Sequence, residues 1–417
     1  MDGRTDFDRL VVWQDETVAR ALSWYREVAT DRRPAKFRIA ATVPAGVDVA
    51  TADRTVLEEA LVRATPRFLA RWRAIREGRE ELGPRVEPSL VDLCAALAER
   101  MLARCDFCRW ECGIDRRERG KRGACRLGEE SRVACAFPHL GEEAVFRGIC
   151  GSGTIFFTSC NMRCAFCQNG DISTDCDNGE PVDARELATL AFLLRRQGCH
   201  NINFVGGEPA VHLHRITAAL ALLARGFRPG ERQRRRLGAV FDPVTEMPEA
   251  PAAVRDGVFN APILWNSNMY LGEPVMRLLR VLVDVWLPDF KFGPDRCAVT
   301  LARTPRYFET VTRCLARLAE WQEDVLVRHL VMPGHVDCCT KPILAWLARH
   351  LPRAPVNIMD QYRPDMFADP RSPRFLERYR EIARRPSARE LDAAWAHARR
   401  LGLPFAEVTF ERRNRLV

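Results

Sequence analysis

From residue 150 onward the apolar positions fall into two alternating regimes. Compact runs at 154–159, 201–205, 262–267, 285–291, 325–332 and 356–361 predict six strands. Between them apolar residues recur at the spacing of one buried helix face. Leu187, Leu190, Ala191 and Leu194 form such a face behind an acidic capping pair, Asp183 and Glu186, in a helix that stops near Gly198. Further helices are predicted from the Gly206-Gly207 turn through Ala224, and at 273–283, 306–321 and 341–351. Six strands separated by helices predict an α/β fold whose parallel strands form a (β/α)6 partial TIM barrel. The chain shows no internal repeat.

The flanks follow a different pattern. Residues 56–79 and 89–104 have helical periodicity, with Leu90, Leu93, Leu97 and Leu102 as one stripe, so 1–104 reads as a helical N-terminal extension. Residues 105–149 are a small Cys-rich segment, a candidate metal-binding unit. The core then runs over 150–365. Within it, charge, several glycines, Pro229, Pro243, Pro248 and Pro251 mark an insertion near 226–260. Residues 366–417 read as a C-terminal helical segment, with a helix over 372–401 packed outside the barrel.

Composition adds three constraints. With 417 residues, 47% of them hydrophobic, the chain can bury a sizeable core, yet no apolar run is long enough for a transmembrane helix. The charged start, Met1-Asp2-Gly3-Arg4, has no apolar signal region, which points to the cytoplasm and away from a membrane. The net charge of +9 is mild, and its densest patch, Arg232-Gln233-Arg234-Arg235-Arg236, reads as a solvated loop. With no aromatic platforms beside it, nucleic acid is not an expected partner.

The cysteines carry the chemistry. Eleven of the sixteen lie between Cys105 and Cys199, a clustering that reads as metal ligation rather than disulfides. Cys160, Cys164 and Cys167 stand at Cys-x3-Cys-x2-Cys spacing directly after the apolar run Thr154-Ile155-Phe156-Phe157-Thr158. Three thiolates in one loop can hold three irons of a [4Fe–4S] cluster and leave the fourth open, whereas electron-transfer clusters usually take four cysteines. S-adenosylmethionine (SAM) can chelate such an open iron through its amino and carboxylate groups. A zinc site would need a fourth ligand, and none is evident nearby. Upstream, Cys105, Cys108, Cys112 and Cys125 could complete a second site, with zinc, an Fe–S cluster or plain buried thiols all open. Cys135, Cys150, Cys176 and Cys199 stand alone as core or spare thiols.

With Phe166 before the third cysteine and Gly206-Gly207-Glu208-Pro209 downstream, the chain resembles the radical SAM superfamily. Further motifs are similar to those of proteins related to pyruvate formate-lyase activating enzyme. They are Gly151-Ser152-Gly153-Thr154, Cys167-Gln168-Asn169, His200-Asn201-Ile202-Asn203-Phe204, Pro288-Asp289-Phe290-Lys291, Arg328-His329-Leu330-Val331-Met332-Pro333-Gly334 and Met359-Asp360-Gln361-Tyr362-Arg363-Pro364. The resemblance spans Cys105 to Pro364 and implies a barrel of the radical SAM type. It implies that Gly206, Gly207, Glu208 and Pro209 bind the SAM amino group and that Asp289 and Lys291 lie beside its carboxylate. It also implies that His329 faces SAM or substrate. Asn266-Ser267-Asn268-Met269 replaces the family's Asp-Thr-Asn-Gly, losing an acid of its cation site; Asn266 and Asn268 remain candidates for the ribose hydroxyls. The extra cysteines precede the cluster motif, whereas the family's ferredoxin inserts follow it.

The expected activity is reductive cleavage of SAM and hydrogen abstraction from a substrate, with a glycine of a partner protein as the first candidate. A small molecule or another protein side chain is the alternative, and a non-catalytic metal-binding interaction protein is a third. Hydrogen abstraction needs no acid–base pair, so no catalytic residue is assigned beyond the cluster. No flavin or nicotinamide motif is visible, so a flavodoxin- or ferredoxin-type electron donor is implied.

Overall fold

The computed structural model describes residues 3–241, 253–294 and 296–411. Pro243, Pro248 and Pro251 of the expected insertion lie outside them. Among the described residues ten strands occur in the order β1 Ser131–His139, β2 Ser152–Phe157, β3 Glu180–Val182, β4 Ile202–Gly206, β5 Val254–Arg255, β6 Val258–Phe259, β7 Ile263–Ser267, β8 Val285–Pro288, β9 Val327–Leu330 and β10 Val356–Met359. β2, β4, β7 and β8 are parallel neighbours. Parallel bridges at Trp286–Val325 and Asp289–Arg328 link β8 to β9, and β10 pairs parallel with β9. These six parallel strands are the expected partial barrel; β7 to β10 fall inside their apolar runs, whereas β2 begins two residues before its run and β4 ends one residue after. β5 and β6 form a separate ribbon.

Two expectations need correction. Residues 105–149 are not only a Cys-rich segment, because β1 pairs antiparallel with β2 and with the short β3, extending the sheet beyond the barrel. Its six residue pairs along the edge of β2 cover main-chain groups that would otherwise be left unpaired. The C-terminal helix expected over 372–401 is broken into a 3-10 turn, Glu377–Ile382, and a helix, Ala388–Arg400. Pro386 cannot donate in a helix interior, and Ser387 with Glu390 forms a capping box that starts the second piece.

The N-terminal region closes one mouth of the barrel. Trp24 donates Nε1–H to Asp284 at 2.8 Å, and Tyr25 donates its backbone N–H to Asp324 at 2.9 Å. Asn201 donates to the Tyr25 hydroxyl at 2.9 Å, and Lys36 pairs with Glu323 in full burial. Asn201, Asp284 and Asp324 all stand just before strands, so these contacts seal the N-terminal strand ends. Phe68 and Trp72 of the helix Arg54–Arg76 share one apolar core with Phe204, Leu220 and Trp265. Ligand sites in parallel α/β sheets form at the opposite, C-terminal strand ends, which stay open here. Among the described residues no helix is long and apolar enough to cross a membrane.

Candidate active site

The C-terminal ends of β2, β4, β7, β8 and β9 surround a cleft of about 430 Å³. Cys160, Cys164 and Cys167 line it together with Gly206, Gly207, Asn266, Asn268, Asp289 and Lys291. Residues drawn from 160 to 291 thus converge because each ends or follows a parallel strand, and these strands end on the same side.

The cysteine loop is held from several directions. Its backbone N–H groups at Arg163 and Ala165 donate to the carbonyls of Ala302 and Leu301, at 3.1 and 2.7 Å. Phe166 packs against Phe292 and Tyr362, with ring centroids 6.1 and 5.5 Å away. Donors also point at the sulfurs: Met162 N–H lies 3.3 Å and Asn268 Nδ2 3.6 Å from Cys160 Sγ, and Ser173 Oγ lies 3.3 Å from Cys167 Sγ. Burial pushes the Cys164 thiol up to about 12, against the opposing pull of Lys291. Cys160, Cys164 and Cys167 are not among the ligand groups whose donor atoms all lie within 4.8 Å of one another. Three thiols lining one cleft, with hydrogen-bond donors at the Cys160 and Cys167 sulfurs, fit a polynuclear cluster.

The glycine turn lies against this loop. Gly206 has φ +112°, a conformation that side-chain-bearing residues rarely adopt. A Cβ on Gly207 would stand 1.7 Å from the Ser159 carbonyl oxygen, so only glycine lets the turn approach Cys160 this closely. Glu208 behaves differently from expectation: it is fully buried and absent from the cleft wall. Its carboxylate accepts from Ser267 Oγ at 2.8 Å, Ala210 N–H at 3.2 Å and Asn268 N–H at 3.0 Å. It latches the turn after β4 to the end of β7. Burial raises its pKa to about 7, against the three hydrogen bonds. Pro209 is likewise buried, at the start of the 3-10 turn Pro209–His212.

Charge is concentrated on the far wall. Lys291 Nζ pairs with Asp289 at 2.7 Å, and Arg328 pairs with Asp289 at 2.8 Å and Glu142 at 3.2 Å while donating to Asn266 Oδ1. Burial would raise the Asp289 carboxyl, but Arg328 and Lys291 outweigh it and hold it below its ordinary value. Burial would lower the Lys291 ammonium, but Asp289 and Cys164 hold it above. A network of paired charges, two cations and two carboxylates, thus lines the wall opposite the cysteines.

A family model for the radical SAM superfamily matches residues 154–347. An uncharacterised protein of Methanocaldococcus jannaschii is 36% identical over 324 residues, 76% of this chain and 81% of that protein. The chain belongs to the radical SAM superfamily. Solved structures similar to this radical SAM chain include a domain of a pyruvate-formate lyase-activating enzyme from Bacteroides vulgatus, 14% identical over 35% of this chain and 80% of that one, with TM-score 0.28. Streptococcus suis SuiB bound to precursor peptide SuiA is 9% identical over 60% and 46% of the two chains, with TM-score 0.38. At these scores neither likeness carries an argument about the substrate of this radical SAM protein.

Other expected residues lie elsewhere. His329 does not line the cleft; its ring nitrogens meet Phe290 O at 2.7 Å and Thr340 Oγ1 at 2.9 Å. Strand alternation explains this, because Arg328 and Leu330 take the cleft face of β9 and His329 the other. Cys105, Cys108, Cys112 and Cys125 do line one small cavity. Their segment braces the cysteine loop: Trp110 donates to Asn161 O at 2.7 Å, and Arg163 donates to Ala124 O at 2.6 Å. They too are not a group with all sulfurs within 4.8 Å. The sequence reading missed Glu142 and Arg328 as cleft residues, although Arg328 stands inside a quoted motif. It also missed Cys297, His335, Cys338 and Cys339, which among the described residues are the group whose donor atoms do gather within 4.8 Å.

Proposed function

We propose that this chain is a SAM-cleaving radical enzyme that abstracts a hydrogen atom from a glycine of a partner protein. The observation that carries the chemistry is the convergence of Cys160, Cys164, Cys167, Gly206, Gly207 and Lys291 on one cleft at the C-terminal strand ends. The three cysteines would hold a [4Fe–4S] cluster. When bound, that cluster supplies the electron for reductive cleavage of SAM.

The chain's own residues do the binding and orienting. The backbone of Gly206 and Gly207, bare of side chains, accepts the ammonium of SAM. Lys291, kept protonated by Asp289, faces its carboxylate, and Arg328 holds Asp289 and Asn266 in place. Asn268 donates to Cys160 Sγ and to Asn161 Oδ1, the latter at 2.8 Å, so it positions the sulfur rather than the ribose. Glu208 acts on SAM only through the backbone that it latches. Cys105, Cys108, Cys112 and Cys125 would hold a second cluster, in a segment that braces the cysteine loop through Trp110 and Arg163, and an external flavodoxin or ferredoxin would supply the electrons. The partner-protein glycine rests on the motifs shared with activating enzymes.

The test is anaerobic reconstitution followed by reduction with SAM. The cleft should take about four irons, and Cys164→Ala should lose the cluster's EPR signal and SAM cleavage. Candidate substrates carrying deuterium are then screened for transfer of label into 5′-deoxyadenosine. Transfer from glycine Cα of a protein supports the reading; transfer only from a small molecule replaces its substrate half. SAM cleavage retained in Cys164→Ala would remove it altogether.

A further inference from the structure

Four soft ligands meet on the far side of the cysteine loop. Cys297 opens the helix Cys297–Ala302, which follows β8. His335, Cys338 and Cys339 lie in the turn after β9, where the chain forms a π-helix, Val336–Thr340. Three of the four are cysteine, and His335 and Cys339 are buried. Their donor atoms all fall within 4.8 Å of one another.

The separations match one coordination shell. Zinc bonds of about 2.3 Å to sulfur and 2.0–2.1 Å to nitrogen at tetrahedral angles give S···S edges of about 3.8 Å and N···S edges of about 3.5 Å. Here Cys297 Sγ lies 3.6 Å from Cys338 Sγ, and Cys338 Sγ lies 3.9 Å from Cys339 Sγ. His335 Nδ1 lies 3.5 Å from Cys297 Sγ and 3.3 Å from Cys338 Sγ. The second ring nitrogen, Nε2, faces Glu381 Oε1 at 3.6 Å, the carboxylate–histidine arrangement that fixes a metal-bound imidazole. A [4Fe–4S] cluster needs wider sulfurs, and hard cations prefer oxygen ligands.

We propose that Cys297, His335, Cys338 and Cys339 form a closed tetrahedral site for one structural zinc ion, which clamps the segment after β8 to the turn after β9. All four positions are protein ligands, so nothing remains open for substrate or water, as in structural zinc sites. The clamp has a purpose in this fold. The helix that Cys297 opens ends in the Leu301 and Ala302 carbonyls, which receive the Ala165 and Arg163 N–H groups of the cysteine loop. The same segment begins directly after Asp289 and Lys291. Its approach to the second turn is already close, since a Cβ on Gly293 would stand 2.0 Å from the Cys338 carbonyl. Zinc here sets the distance between the cysteine loop and the Asp289–Lys291 wall. The inference does not depend on the chemistry proposed for the cleft.

The full-length chain, purified anaerobically, should contain one zinc per chain by elemental analysis. Replacing it with cobalt should give the intense visible bands of a tetrahedral thiolate site. Cys297→Ser and Cys338→Ser should each lose this metal, whereas Cys108→Ser, outside the site, should keep it. A measurement on the wild type guards against variants that fail to fold. Cys297, Cys338 and Cys339 should resist alkylation until a chelator removes zinc, and then label together in peptide mass spectrometry. Zinc at full stoichiometry in Cys338→Ser, or alkylation of these three thiols that is unaffected by metal, would overturn the proposal.

Discussion

Glu208→Ala separates two roles for one carboxylate, a ligand of SAM or a latch between strands. In the structure the carboxylate takes three hydrogen bonds, from Ser267 Oγ, Ala210 N–H and Asn268 N–H, and is fully buried. Removing it leaves two buried backbone donors without this acceptor, each costing about 1–3 kcal/mol, while the Ser267 hydroxyl can rotate elsewhere. Water entering the vacated space recovers part of that, so a loss of about 2–4 kcal/mol is expected. Urea unfolding of the metal-free chain followed by circular dichroism measures it. Titration adds a second reading. Burial raises the Glu208 pKa from 4.5 to about 7. A carboxyl raised in the folded state contributes stability that is full below about 4.5 and is lost as pH rises through about 7. From pH 5 to 8 the wild type should therefore lose about 2–3 kcal/mol relative to Glu208→Gln, which does not titrate there. Asp284 and Asp324, pushed up by burial to about 6 and about 7, titrate in both proteins and cancel in the difference. If Glu208→Ala keeps wild-type stability within about 0.5 kcal/mol and loses only SAM affinity, the carboxylate reads the ligand directly and the latch is refuted.

Two further outcomes follow from the same geometry. Gly207→Ala places a methyl group 1.7 Å from the Ser159 carbonyl, so the start of the cysteine loop must shift. It should cost about 1–3 kcal/mol and reduce iron loading, whereas Gly83→Ala, with open space around its Cβ, should do neither. Normal iron content in Gly207→Ala would show that the turn and loop move independently. For the upstream quartet, four thiols lining one small cavity, a second polynuclear cluster is expected. Cys108→Ala should then lose about four irons per chain and leave about four in place; zinc in place of that iron would contradict it.

Much of the barrel was legible because its signals are local. Each strand is a short apolar run and each helix a periodic face, and both properties are set by neighbours within a few residues. Cys160, Cys164 and Cys167 were legible for the same reason, since one loop carries all three. The broken C-terminal helix could have been read from Pro386, Ser387 and Glu390, but the apolar periodicity on either side masked it. β1 was hidden among cysteines that drew attention to metal instead.

Chain composition and local pattern thus determined that parallel strands would form and that the cysteine loop would follow the first of them. Which way each side chain faces was decided only when the barrel closed. His329 and Arg328 are neighbours in sequence, yet alternation along β9 sends one to Thr340 and the other to Asp289. Glu208 looked like part of a ligand turn until the end of β7 arrived with two donors for it, Ser267 Oγ and Asn268 N–H. Cys297 and Cys338 are 41 residues apart, and no local spacing rule joins them. They meet because β8 and β9 are adjacent parallel strands, so the segments that leave their C-terminal ends emerge side by side.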